Sequence, residues 1–450
     1  MSFTRGPDRP IRRGRRVALA VTYVVLAVYG SLVPLDFRPF PMAEAWTRFG
    51  AIPYLDLGPG SRADWVSNIV LFVPVGFLWA AALWPRLGGA ARVGAIVVAA
   101  AISAAIALGL EFAQQFFPPR TVSLNDLLAE GIGALVGIAV WALWGRALTE
   151  LWAEVAAGTA RAMRAFLVLY LLAYVAVSLF PYDLVLSAEE LSWKLDGGAV
   201  VAFLDSGCAR DVRCLAKLAA EVLAMVPVGM LFGLARRRKR TILAASIAGA
   251  LIGLGIETAQ FFILSGVSQG ASILTRAVGG GLGAAVVPML AGLGSRRGAR
   301  VVKVLAALAT PPYLIALAVL AGWKLTTPVD IDDALTRLDA IRFIPFYYHY
   351  YTSEATALAS LIKQALFYAP VGALLWAWGG GGRNLALVAA GLAATLAAVI
   401  ETGRLLLSPL RPDPSNLIVA ALAAAVTYLA ITALIRWARV GSPVVRRPHR

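Results

Sequence analysis

Glu111 and Gln114 stand three residues apart at the end of a long apolar run, so they share one helix face. Pro118, Pro119 and Arg120 break that run, and Asn125 and Asp126 open the next one. Upstream, Asp64 and Asn68 are four apart and also share a face. A carboxylate inside membrane-length apolar sequence costs on the order of 3 kcal/mol, so a functional role is the default expectation. Carboxylates, one guanidinium and several amides would meet in one layer, which is enough to bind a polar headgroup. The same groups could run a hydrolase or transferase, with Glu111 and Asp126 as acid and base and Arg120 on a phosphate. Each also has a structural use: Glu111 and Gln114 as interhelical links, Asp126 as a helix cap, Arg120 as the partner of either acid. The only histidines are His349, in the run FYYHYY, and His449, in the terminal tail. No Ser-His or Cys-His pair, metal-ligand cluster or phosphate loop is visible, so no cofactor or metal is expected and a non-enzymatic role is preferred.

Hydrophobic residues make up 60% of the 450 and charged residues 15%, and the mean hydropathy is +0.76. A soluble chain of this length cannot bury so much apolar surface, which leaves an all-α polytopic transmembrane bundle. The net charge is +16, yet nucleic acid is not the expected partner. The basic residues cluster in short links between apolar runs, where they set orientation and meet anionic headgroups. The first run follows RRGRR without a small-residue cleavage site and reads as a signal anchor.

The landmarks of the first stretch recur. Pro34, Pro181 and Pro328 are spaced by 147 residues, Pro-Val-Gly begins at Pro74, Pro227 and Pro370, and buried-type glutamates stand at Glu111, Glu257 and Glu401. The expected architecture is about 12 spans as three parallel four-helix repeats. Its segments are a basic tail (1–16), repeat one (17–145), an amphipathic connector (146–165), repeat two (166–294), repeat three (295–436) and a second basic tail (437–450). In repeat two, Lys217 and Glu221 stand for Asp64 and Asn68, Glu257 and Gln260 persist, and Gly266 and Ser272 replace Arg120 and Asp126. In repeat three, Gln364 stands for Asn68, Arg404 for Gln114 and Asn416 for Asp126, and Glu401 persists. Repeat one keeps the fullest set and is the expected working site; a centre lined by Glu111, Glu257 and Glu401 is the rival. Pro74 with Gly76, and Gly131, Gly133, Gly137 and Gly279 to Gly283, read as helix-packing positions. Basic links at Arg86, Arg92, 236–240 and Arg383, with the basic tails, place both termini in the cytoplasm. Cys208 and Cys214 then share an outer link, where a disulfide is expected.

At these residues repeat one resembles the VanZ-like family of bacterial membrane proteins. The matching pieces are Val33-Pro34-Leu35, Ile52-Pro53-Tyr54, Asp64 with Asn68 to Gly76 (NIVLFVPVG), Glu111-Phe112-Ala113-Gln114, Pro119-Arg120 and Asn125-Asp126 to Gly133. Where the family has an Asn a few positions after the Asp, this chain has Glu130. Repeats two and three resemble it through their prolines and glutamates. The resemblance implies a small helical domain of the bacterial cytoplasmic membrane and a theme of teicoplanin-type glycopeptide resistance; it implies no reaction. The expected partners are membrane lipids and lipid-linked envelope precursors, bound or moved at the outer leaflet. A scaffold for envelope enzymes, with Arg342 to Tyr350 as contact surface, is a further reading, and no protein partner is identified.

Overall fold

A computed structural model describes residues 13–55, 58–85, 88–118, 120–157, 160–196, 200–201, 212–235, 241–292, 296–324, 329–352, 354–380, 382 and 384–440. Several sequence landmarks lie outside them: Arg86, Pro119, Cys208, 236–240, Pro328, Arg383 and the ends of both tails.

The first set of helices comprises α1 (Arg13–Leu32), the short α2 (Met42–Gly50), α3 (Pro59–Leu83), α4 (Ala90–Gln114) and α5 (Leu124–Ala157). The second comprises α6 (Ala160–Leu179), the short α7 (Ala188–Asp196), β1 (Val200–Val201), α8 (Val212–Ala235), α9 (Thr241–Phe261), β2 (Ser268–Gln269) and α10 (Gly270–Gly292). The third comprises α11 (Arg296–Leu320), α12 (Ile331–Asp339), the single turn α13 (Tyr347–Tyr350), α14 (Glu354–Gly379), α15 (Leu385–Leu407) and α16 (Ser415–Val440). Among the described residues β1 and β2 are the only named strands, and they pair in parallel. Among the described residues ten helices are long and apolar enough to cross a membrane, so the fold is an all-α polytopic bundle. Of the two other expected spans, α6 has a shorter apolar stretch, Ala165–Leu179, and α8 is not among the ten.

One local expectation changes. Helix α5 runs unbroken for 34 residues, because no Pro or Gly-rich break separates it from the start of the expected connector. The links after α1, α6 and α11 each hold a nine-residue helix. Each has acids in its first turn and a base in its last: Glu44 and Arg48, Glu189 with Glu190 and Lys194, Asp332 with Asp333 and Arg337. That order complements the helix dipole. Asp330 caps α12 by accepting the Ile331 N–H at 2.9 Å. The last-turn bases also fasten these helices: Lys194 donates to the Ile263 and Gly266 carbonyls, and Arg337 to the Ser408 carbonyl at 2.8 Å.

The chain forms two compact units: Met1–Ala157 with Leu179–Gly197 and Phe262–Gly266, and Gly158–Ser178 with Gly198–Phe261 and Val267–Arg450. In the first unit α3 lies along α5, with α1 against α3 and α4 against α5. Arg62 of α3 also makes a bidentate pair with Glu190 of α7, at 2.9 and 3.0 Å. In the second unit α8 lies along α10, which also meets α9, and α14 lies along α16, which also meets α15.

The long pairs touch backbone to backbone. A Cβ at Gly76, Gly133 or Gly137 would overlap the carbonyl of Ala134, Ile69 or Val73. Gly229, Gly279 and Gly283 stand the same way against Gly280, Val222 and Val226, and Gly372 against Ala424. Small residues permit this approach; Gly131, expected to join them, has nothing within 4 Å. Pro74, Pro227 and Pro370 lie inside α3, α8 and α14. A proline gives no N–H to the preceding turn and holds it open. A tyrosine from α1, α6 or α11 donates to the carbonyl three residues before each proline: Tyr23 to Leu71 at 3.0 Å, Tyr170 to Ala224 at 2.6 Å, Tyr313 to Phe367 at 2.8 Å.

Helix α4 buries Ala95, Ala99, Ser103, Ala107 and Leu110, then Glu111 and Gln114. Helix α9 buries Thr241, Ala245, Gly249, Gly253 and Ile256, then Glu257. Helix α15 buries Ala386, Ala389, Ala393, Ala397 and Ile400, then Glu401 and Arg404. Steps of three and four keep each stripe on one face. Each glutamate is buried because it continues a small-residue stripe that packs closely against its neighbour.

Candidate functional site

Each glutamate ends its stripe just before the chain turns into the last long helix of its set. There Glu257 accepts the backbone N–H of Gln269, twelve positions on, at 2.6 Å, and Glu401 that of Asp413, also twelve on, at 2.9 Å; the Ser123 N–H lies near Glu111 at the same spacing. The residue three positions after each glutamate reaches back to the first helix of the set. Gln114 donates to the Ser31 carbonyl at 3.4 Å, Gln260 to Ser178 at 2.8 Å, and Arg404 Nε to Ala321 at 3.0 Å.

The charge around the three carboxylates differs. Arg276 of α10 donates to Glu257 Oε1 at 2.5 Å and to the Tyr174 hydroxyl at 2.9 Å, and lies 3.8 Å from Glu221. Arg404 Nη1 reaches both oxygens of Glu401 at 2.9 Å, and Asn416 Nδ2 donates to Oε1 at 2.8 Å. Glu111 has no such arginine bond among the described residues, and Arg120 only attracts it through space. Nineteen residues after Glu257 comes Arg276; nineteen after Glu111 comes Glu130, and nineteen after Glu401 comes Ala420. Glu111 and Glu130 are each 1% exposed, and the Oε2 of each is buried without a hydrogen-bond partner among the described residues. The two repel each other, and Asp126 repels both. Buried carboxylates left this way are costly, so the layer suits a group that brings hydrogen-bond donors or positive charge.

The other expected residues of this layer hold the fold together. Asp126 accepts from Asn68 Nδ2 at 2.8 Å and from Ser123 Oγ at 2.6 Å, which ties α3 to α5. The cap at this helix start is Ser123, whose Oγ accepts the Asp126 N–H at 3.2 Å, rather than Asp126 itself. Asn125 grips the Leu55 backbone at both ends, accepting its N–H at 2.8 Å and donating to its carbonyl at 2.9 Å. Arg120 donates from Nε to the Val33 carbonyl and from Nη2 to the Gly30 carbonyl, both at 3.0 Å. These carbonyls close the C-terminal end of α1, where a cation is favoured. Asp64 is exposed at the start of α3.

In the second set Glu221 accepts from Ser272 Oγ at 3.0 Å and Thr275 Oγ1 at 2.7 Å, and Lys217 donates to Gln269 Oε1 at 3.2 Å. Gln364 is buried in the third set, where His349 Nδ1 lies 3.6 Å from Asp413 Oδ2. Each glutamate takes its described partners from its own set, and Glu111 belongs to one unit while Glu257 and Glu401 belong to the other. Cys208 lies outside the described residues, and there is no free cysteine among them. Sequence reasoning passed over Glu130 as a site residue, and with it Arg276, Ser123 and the three proline-facing tyrosines. The readable signals were the nineteen-residue spacing from each glutamate and the recurrence of tyrosine at 23, 170 and 313.

No curated protein and no solved structure matches the chain. A family model does: residues 18–145, which hold most of α1, all of α2 to α4, most of α5 and the whole Glu111 layer, match the VanZ/LLP1 family, and this first part of the chain is VanZ-like.

Proposed function

We propose that the chain is a non-enzymatic membrane protein that binds or moves an amphipathic component of the bacterial cell envelope, a lipid or a lipid-linked wall precursor. The Glu111 layer is the working site. The observation that carries this reading is the pair of buried carboxylate oxygens, on Glu111 and Glu130, that no group among the described residues satisfies. Two carboxylates with free acceptor oxygens suit a headgroup rich in hydroxyl, amide or ammonium donors. A bare phosphate suits them poorly, since Arg120 already donates to the end of α1. The second and third sets, diverged copies in this reading, support the bundle. The basic links put the termini in the cytoplasm and the Glu111 layer near the outer leaflet, where an envelope precursor and a glycopeptide would both be found.

The test is native mass spectrometry of lipids that co-purify with wild type, Glu111→Gln and Glu130→Arg. The last variant copies the arginine of the second set into the first. A donor-rich amphiphile held by wild type and lost from both folded variants is the expected result. Identical lipid profiles from all three would sink the proposal, and turnover of a lipid-linked substrate by wild type would replace it with an enzymatic one.

A further inference from the structure

At the other end of the same helices from the Glu111 layer, three arginines converge on a cavity of about 560 Å3. Arg16 comes from the first turn of α1, Arg92 from the first turn of α4 and Arg146 from α5. Trp84 and Trp141 wall it, and Glu150 is the single carboxylate among the lining residues. The Arg16 guanidinium lies 5.4 Å from the Trp141 ring centroid and donates to the Ala81 carbonyl at 3.1 Å. The Arg92 guanidinium lies 5.8 Å from the Trp84 centroid. Indole faces and a carbonyl thus hold two cations at the rim before any ligand arrives.

Arginines at helix ends commonly do no more than set orientation. That role needs neither convergence from three helices nor stacking on tryptophan. The volume is within the roughly 300–1,000 Å3 of ordinary ligand pockets. Guanidinium forks match phosphate oxygens in pairs. Two of the arginines also sit at helix N-termini, whose free N–H groups and dipole favour an anion. We infer that this cavity binds a phosphate-bearing anion, carried by an anionic phospholipid or free in solution. It shares no residue with the Glu111 layer, so either site can fail without the other.

The experiment uses the full chain in nanodiscs of phosphatidylcholine, with and without phosphatidylglycerol. By native mass spectrometry, wild type should retain phosphatidylglycerol in preference to phosphatidylcholine. Arg92→Gln/Arg146→Gln should weaken that preference about tenfold, and Glu111→Gln should leave it intact. A second measurement needs no variant: phenylglyoxal modification of Arg92 and Arg146 in wild type, mapped by peptide. Protection only when phosphatidylglycerol is present assigns a lipid headgroup. Protection by inorganic phosphate in phosphatidylcholine discs assigns the free anion. Modification unaffected by either probe, or undiminished preference in the folded double variant, overturns the inference.

Discussion

In the third set Arg404 closes on both oxygens of Glu401, and in the second Arg276 closes on Glu257. In the first, the position that carries Arg276 carries another acid, Glu130. The stripe and the link to the first helix are common to all three. The difference therefore separates two jobs that a buried glutamate can do. Where it only fastens a loop, the fold supplies a guanidinium to neutralise it. On the proposed function, two acids that share a buried layer with unsatisfied oxygens give up local stability for the group they bind.

The sharpest break in this comparison comes from removing a neutralising arginine. Arg404→Gln leaves Glu401 buried with a lost ion pair and should cost about 3–5 kcal/mol in unfolding experiments in detergent. Adding Glu401→Gln should restore most of that loss. Glu111→Gln, by contrast, should cost nothing or stabilise, because it removes a charge that no arginine bonds. Equal losses from Arg404→Gln and Glu111→Gln would erase the distinction.

A smaller effect tests what the sets share. Tyr23→Phe, Tyr170→Phe and Tyr313→Phe each delete one hydrogen bond to an opened helix turn and should cost about 1 kcal/mol apiece. Unequal costs would mean that the three proline seams are not alike.

The smallest effect concerns an acid outside the spans, Glu190. Arg62, with the Leu186 N–H, holds the Glu190 carboxyl down to about 2 from its ordinary 4.5. Because the folded value is the lower one, the stabilisation is complete above about pH 4.5 and is lost as the pH falls towards 2. The difference in thermal midpoint between wild type and Glu190→Gln should therefore be constant down to about pH 4.5, shrink between there and about 2, and be gone below that. A difference that persists at pH 2 would assign the contact to packing instead of charge.

Membrane-length runs, the three glutamates and the glycine seams were legible because each rests on local spacing. The helices α2, α7 and α12 were hidden by their brevity, although acids first and bases last announce them in retrospect. The tether roles of Asn125 and Arg120 were not legible, since Leu55 and Val33 lie 70 and 87 residues away in the chain. The charge contrast at Glu130 and Arg276 was legible only by setting two distant segments side by side, through the nineteen-residue spacing from each glutamate.

The bond from Glu257 and from Glu401 to the backbone twelve residues on has an evolutionary side. A peptide N–H is offered by every amino acid except proline, so this fastening places almost no demand on which residue provides it. Gln269 and Asp413 provide it here. The turn can drift in composition while its path stays pinned, with proline at that one position the substitution selection must refuse.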